Sequence, residues 1–431
     1  MGVLLPGATS QAVSDQMAEL ADLTRTAGAE VVGSDIQRRS GVDPAHFIGM
    51  GKVDELREMK LEGGFDVVIC NDDLSPRQQR NLERELKTRV LDRTEVILDI
   101  FAQHARTHEG RLQIESARLH HMLPRLIGSY AYDRQVGGRR GGVGARGGAG
   151  EQQIEVERRR IRKRMRDLER EIEQVRSQRH QQRTGRRRAA LETAAIVGYT
   201  NAGKSTLLNA LTGASVHAEQ RVFATLDPTT RRLGLPTGRE VLLTDTVGFI
   251  QKLPTDLVAA FRATLEEVTE ADLILHVLDA SHPAMREHFE ATNEVLEQLK
   301  ALDKPMILAL NKIDLLDPGT VAMIRRRGDW SPYEEVVAIS ARTGAGLESL
   351  MQAIERTTQE HLVRLDLLVP YDQAGVEAEV REHGRVLSCD YLGEGIRIEA
   401  EVPGNLAGRF AAYVENANGV AKSEPPGGAA L

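Results

Sequence analysis

Short apolar runs alternate with charged stretches of helical period along most of the chain, which predicts a layered α/β protein. Val67-Val68-Ile69-Cys70 reads as a buried strand, and Pro76 to Leu86 as a charged amphipathic helix behind it. Further on, Ala194-Ala195-Ile196-Val197, Val241-Leu242-Leu243, Met306-Ile307-Leu308-Ala309-Leu310 and Val336-Val337-Ala338-Ile339 are continuous apolar runs separated by helical segments. Runs of this kind suit parallel strands covered on both faces. Between these two regions, Ile154, Ile161, Met165, Leu168, Ile172 and Val175 follow the spacing of a coiled-coil seam, and Leu112, Leu119, Met122 and Leu126 form a preceding partner stripe. Near the end, Leu367-Leu368-Val369 and Ile396-Arg397-Ile398 are candidate strands.

Four zones follow. Residues 1–110 form a small α/β domain and 111–190 an antiparallel helical hairpin. Residues 191–362 form a doubly wound, mostly parallel sheet domain, and 363–431 a small α+β domain whose Pro425-Pro426-Gly427-Gly428 end reads as a tail. The hairpin tip is placed at Gly137 to Gly150, where eight of 14 residues are glycine, because glycine gives up backbone entropy and packing in a helix. A flexible linker is the other reading of that segment.

Composition narrows the class. The chain has 431 residues, 41% hydrophobic and 28% charged, ordinary for a soluble protein of several domains. Cys70 and Cys389 are isolated, which argues against a disulfide framework or structural zinc. The start of the chain lacks a signal-peptide pattern, and no apolar run is long enough to span a membrane. A cytoplasmic protein, monomeric by default, is the expectation. Net charge is −7, yet Arg134 to Arg188 holds 18 Lys and Arg against 7 Asp and Glu. A basic segment in an acidic chain suggests a surface for a polyanion such as RNA; a solvated charged helix is the plainer alternative.

The chemistry lies at the ends of the apolar runs. Gly198-Tyr199-Thr200-Asn201-Ala202-Gly203-Lys204-Ser205 matches GxxxxGK[ST] between a predicted strand and a predicted helix. Such a loop turns its N–H groups toward phosphate, Lys204 reaches the β- and γ-phosphates, and Ser205 ligates Mg²⁺. Asp245-Thr246-Val247-Gly248 supplies a carboxylate for Mg²⁺ through water and a Gly248 N–H for the γ-phosphate. Asn311-Lys312-Ile313-Asp314 and Ser340-Ala341-Arg342 follow the last two strands. Open α/β sheets bind ligands beyond the carboxyl ends of their strands, and here four motifs occupy four such ends.

The base read is guanine, since Asp314 accepts from both N1–H and the 2-amino group, a donor pair that adenine lacks. Asn311 adds contacts at the base edge, the Lys312 stem packs on the ring, and the Ala341 N–H is available to O6. Within Phe223-Ala224-Thr225-Leu226-Asp227, Thr225 is the candidate threonine that senses the γ-phosphate and Mg²⁺, with Thr229 and Thr230 left open by spacing. Lys204, Thr225 and Gly248 are thus the candidate catalytic set of a GTP hydrolase. Phe249 stands where many GTPases carry a water-orienting glutamine, so slow intrinsic turnover awaiting a partner is expected. Asn201 marks a possible K⁺ site beside the phosphates.

These motifs, with Gly49-Met50-Gly51-Lys52, Asn71 to Pro76, Val90-Leu91-Asp92-Arg93-Thr94, Asp99 to Ala102, Pro124-Arg125-Leu126, the glycine loop and Phe223 to Arg231, resemble the HflX family of ribosome-associated GTPases. The resemblance covers roughly Val32 to Glu360. It implies Thr225 as the Mg²⁺-contacting switch residue, the large ribosomal subunit and its rRNA as partner, and the rescue of stalled ribosomes by splitting. The family's GPGET continuation of the glycine loop is replaced here by Gly148-Ala149-Gly150-Glu151-Gln152. Two other readings are an ATP-dependent RNA-remodelling factor, for which no second phosphate-loop motif is present, and a GTP switch for a non-ribosomal protein.

Overall fold

The structure is a computed structural model, which describes residues 1–105, 107–137, 148–188, 192–213, 223, 228–250, 262–360, 362–373, 375–403 and 407–414. The N-terminal region runs β1 (Gly2–Leu4), α1 (Ser10–Thr26), β2 (Ile36–Arg38), α2 (Met50–Leu61), β3 (Val67–Cys70), α3 (Pro76–Leu86), β4 (Arg89–Asp92) and α4 (Arg93–His104). β1 pairs with β2 and β3 with β4, both in parallel. Helix α3 starts where a serine, a proline and a glutamine ask it to. Ser75 and Gln78 form a reciprocal capping box and Pro76 opens the first turn. Asp92 and Glu95 repeat the capping box at α4.

The long helices α5 (His108–Gly137) and α6 (Gly148–Arg188) follow. Leu168 is fully buried, and Arg164 grips Glu115 of α5 through two 2.7 Å hydrogen bonds. Two expectations need correction. Helix reaches Gly137 and resumes at Gly148, so the ends of the glycine segment are helical. Adding residues to an already nucleated helix offsets a glycine penalty of about 1 kcal/mol. Met122 of the partner stripe is 48% exposed, whereas Ile114 and Ala117 are buried in the main core. The face of α5 that packs is set by the N-terminal region as well as by α6. The tip at 138–147 lies outside the described residues.

The central domain carries β5 (Glu192–Val197), α7 (Lys204–Thr212), β6 (Thr229–Gly234), β7 (Glu240–Asp245), α8 (Arg262–Glu270), β8 (Leu273–Asp279), α9 (Met285–Gln298), β9 (Met306–Asn311), α10 (Pro318–Arg327), β10 (Glu335–Ala338) and α11 (Leu347–Glu360). Its sheet order is β10–β9–β8–β5–β7–β6, parallel except for β6 against β7. Residues of β5, β8 and β9 are buried throughout or nearly so, as expected of strands with helices on both faces. One apolar cluster is built on Ile196, Leu207, Leu243 and Leu275. The other joins Ala195, Val197 and Leu308 to Leu20, Leu23, Ile97, Phe101 and Ile114 of the preceding elements. A single core therefore runs from the N-terminal region into the central sheet.

The chain closes with β11 (Leu362–Val369), α12 (Gly375–His383), β12 (Arg385–Leu392) and β13 (Gly395–Pro403), an antiparallel sheet of order β11–β13–β12. Among the described residues no helix is long and apolar enough to cross a membrane.

Candidate nucleotide site

The predicted loops meet at one end of the central sheet. Gly198 leaves β5 with φ 145°, and a Cβ there would lie 2.2 Å from the Val277 carbonyl oxygen; the backbone passes too close to β8 for any side chain. Asn201 and Gly203 also have positive φ, 58° and 98°, so the loop curls before Lys204 opens α7. Lys204 is 7% exposed, and its Nζ donates to the carbonyls of Gly198 (3.1 Å) and Tyr199 (2.9 Å). Burial pushes its ammonium down to about 8, against the opposing pull of Asp245.

Ser205 Oγ donates to Asp245 Oδ2 at 2.6 Å. The strand-end carboxylate of β7 and the first-turn hydroxyl of α7 are thus a matched pair of hard oxygen donors, and they fit Mg²⁺, which takes oxygen ligands and keeps several waters. Ser205 would hold the ion directly and Asp245 through water. The ion neutralises phosphate charge when bound. Thr225, the third expected ligand, lies outside the described residues with Ala224, Leu226 and Asp227.

The segment after Asp245 folds onto the phosphate loop. Thr246 Oγ1 donates to the Ile196 carbonyl (2.7 Å) and Val247 is buried. Gly248 lies against Lys204: a Cβ added to it would sit 3.0 Å from Lys204 Nζ and 2.8 Å from Thr200 Cγ2. Phe249 N–H donates to the Gly198 carbonyl (3.1 Å), and its own carbonyl accepts from Thr200 N–H (2.7 Å). The Phe249 ring is buried in the shared core with Tyr199 and Phe223. Phe249 thus anchors the segment to the phosphate loop, a role that its place after the DxxG motif does not signal. Thr229 and Thr230, the alternative switch threonines, lie in β6, with the Thr230 and Thr244 hydroxyls 3.0 Å apart.

At the base-reading end, Asp314 accepts from Ser340 Oγ (2.7 Å) and Arg342 (2.6 Å). The Ser340 hydrogen bond, with Arg342 adding to it, holds the Asp314 carboxyl below its ordinary range. Lys312 has φ 64° and pairs with Asp279 at 2.7 Å, a partner no motif announced. Ile313 N–H donates to the Ile339 carbonyl (3.2 Å), linking the two base-side loops.

Two of the expected base contacts already have partners within the protein. Asn311 gives its Nδ2 to the Ala202 carbonyl (2.8 Å), and its Oδ1 accepts the Ala341 N–H (2.9 Å). Asn311 therefore joins the phosphate loop to the base loops, and the Ala341 N–H, expected at O6, rests on the Asn311 amide oxygen. Both groups are buried, and buried polar groups satisfy one another wherever geometry permits.

Comparison with known proteins gives these loops a family. One family model, described as a 50S ribosome-binding GTPase, matches residues 193–312. Two more match residues 14–102 (GTP-binding GTPase N-terminal) and 104–186 (GTP-binding GTPase Middle Region). GTPase HflX of Caldanaerobacter subterraneus subsp. tengcongensis is 44% identical over 396 residues, covering 92% of this chain and 89% of its own. GTPase HflX of Escherichia coli (strain K12) is 45% identical over 356 residues, covering 81% and 82%.

The chain belongs to the HflX family of GTPases.

It binds and hydrolyses GTP. Among solved structures, a GTP-binding protein from Sulfolobus solfataricus in complex with GDP is 25% identical. It aligns with a TM-score of 0.43, covering 83% of this chain and 98% of that one.

The lowered Lys204 value has a measurable consequence. Below about pH 8 the free protein already carries a charged Lys204, and nucleotide affinity should be flat. Above it the lysine is neutral until phosphate binds and raises its pKa again, so binding takes up a proton. Affinity should then fall, approaching a limit of about tenfold per pH unit. Titration with a fluorescent GDP between about pH 6.5 and 9 checks this; a flat profile would contradict it.

Proposed function

We propose that this HflX-family GTPase binds the large ribosomal subunit in its GTP state and acts on stalled ribosomes, splitting them into subunits. The observation that carries this reading is the 41-residue helix α6. It packs along α5 and precedes the nucleotide-bearing domain in the chain, within a segment holding 18 Lys and Arg against 7 Asp and Glu. A rigid basic rod suits recognition of rRNA through its phosphates and shape. The matching central family model is described as a 50S ribosome-binding GTPase, which agrees with this reading.

The four loops described above would hold the nucleotide. Lys204 and the phosphate-loop N–H groups contact phosphate, Asp314 reads guanine, and Ser205, Asp245 and Thr225 serve Mg²⁺. K⁺ would sit beside Asn201. Phe249 offers no water-orienting amide, so the ribosome would order the switch segments for hydrolysis. The protein would work in the cytoplasm as a monomer.

Co-sedimentation with purified large subunits tests the partner. Retention is expected with a non-hydrolysable GTP analogue and loss with GDP. The logarithm of affinity should fall linearly with the logarithm of salt, as counterion release requires. Nucleotide-independent, salt-insensitive sedimentation would contradict the proposal and favour a protein partner elsewhere.

A further inference from the structure

A side chain of the phosphate loop reaches into the N-terminal region. Tyr199, the second residue of that loop, is 4% exposed, and its hydroxyl donates to Glu19 Oε1 of α1 at 2.5 Å. The other oxygen, Glu19 Oε2, accepts from Arg93 at 2.5 Å. Arg93 opens α4, its side chain is 2% exposed, and it also donates to Asn71 Oδ1 at 3.0 Å. Asn71 in turn donates to Gln16 Oε1 (3.2 Å), while its backbone N–H donates to the Met1 carbonyl (3.0 Å). The Tyr199 ring lies flat on His288 of α9, with centroids 3.7 Å apart and planes 6° apart. Tyr199 is thus held on its ring face by the central domain and at its tip by the N-terminal region, 180 residues away in sequence.

What this tyrosine fixes is the lysine. Its own carbonyl is one of the two that receive Lys204 Nζ. A displacement of Tyr199 moves that carbonyl and releases one of the tethers aiming the ammonium. The same core joins the N-terminal region to the two flanking segments, where Phe101 of α4 meets Phe223 edge-on at 4.5 Å and Phe249 is buried in the shared cluster.

We propose that Glu19, held by Arg93, is a positioning residue for the nucleotide site: through the Tyr199 hydroxyl it fixes the phosphate loop and Lys204. The N-terminal region thereby completes the site instead of merely preceding it. This proposal rests on the assignment of the phosphate loop and Lys204 given above. Glu19 touches no nucleotide in this scheme, and its effect passes wholly through Tyr199.

The test uses the full chain with Tyr199→Phe, Glu19→Gln and the double variant. Tyr199→Phe keeps the ring, its stacking and its volume while deleting the hydroxyl. The affinities for fluorescent GDP and a GTP analogue are measured beside thermal unfolding. Loss of a hydrogen bond to a charged group corresponds to about a 10- to 100-fold effect at most, of which the nucleotide site should register about 5- to 30-fold weaker binding in each single variant. In nucleotide affinity the double variant should be no weaker than the worse single one, because with the Tyr199 hydroxyl gone Glu19 has no route to the phosphate loop. If unfolding shifts while nucleotide affinity stays within about twofold of the unaltered protein, the contact is a structural tie and the proposal is overturned. Additive losses in the double variant would overturn it as well. If the unaltered chain binds no guanine nucleotide, the site assignment itself falls and takes the proposal with it.

Discussion

Asp314→Asn is expected to weaken guanine-nucleotide binding by about two to three orders of magnitude and to shift preference toward xanthine nucleotides. Asp314 is an acceptor-only carboxylate, oriented by Ser340 and Arg342 at 2.7 and 2.6 Å and held in its charged form. Guanine offers it two donors side by side. An asparagine keeps one acceptor but turns an N–H₂ toward the 2-amino group, so two donors face each other with no acceptor between them. An unmatched polar pair at a ligand edge costs far more than a lost contact. Xanthine carries a carbonyl in place of that amino group and restores the match. Competition between GDP and XDP for a fluorescent nucleotide gives the result directly. An asparagine variant that still prefers GDP would remove Asp314 from the base-reading role.

Arg93→Met should destabilise the protein by about 3–5 kcal/mol, the largest stability effect of any single change considered. Arg93 is almost wholly buried, and its guanidinium is shared between Asn71 and Glu19. Methionine fills much of the volume of the stem but leaves the partly buried Glu19 carboxylate, 15% exposed, without its counter-charge. The cost lies in the stranded carboxylate, so Glu19→Gln added to Arg93→Met should recover part of the loss. Urea unfolding of the two variants reads both numbers. A loss below about 1 kcal/mol would mean that Glu19 reaches water once its partner is gone.

Much of the central domain was legible in the sequence for a simple reason. Parallel strands buried on both faces must be apolar throughout, and each predicted run is followed directly by a loop motif whose chemistry is tied to the strand end. The strand at Val67–Cys70 and the helix at Pro76–Leu86 were equally plain, the latter because Ser75, Pro76 and Gln78 announce its start. The C-terminal sheet was only half visible. β12 (Arg385–Leu392) has no clean alternation, and its register shifts between Val386 and Ser388, so period-two patterning fails there.

The site divides in the same way. Residue types at fixed spacing marked Lys204, Ser205, Asp245 and Asp314. Contacts made over long sequence separations left no such mark. Asn311 spends its amide on Ala202 and Ala341, Lys312 finds Asp279, and Tyr199 finds Glu19. Each is a polar pairing decided by how the layers stack, and a linear pattern does not carry it. Thr225 and the glycine tip rest on sequence alone.

The most direct test of the account is GTP turnover by the purified protein, alone and with purified large ribosomal subunits. Slow turnover is expected alone, since Phe249 is buried in the core and supplies no group for water, with strong stimulation by the subunits. Stimulation should disappear when residues 137–150 are shortened in a variant that still binds GTP. Turnover that the subunits leave unchanged, in a protein shown to bind GTP, would contradict it.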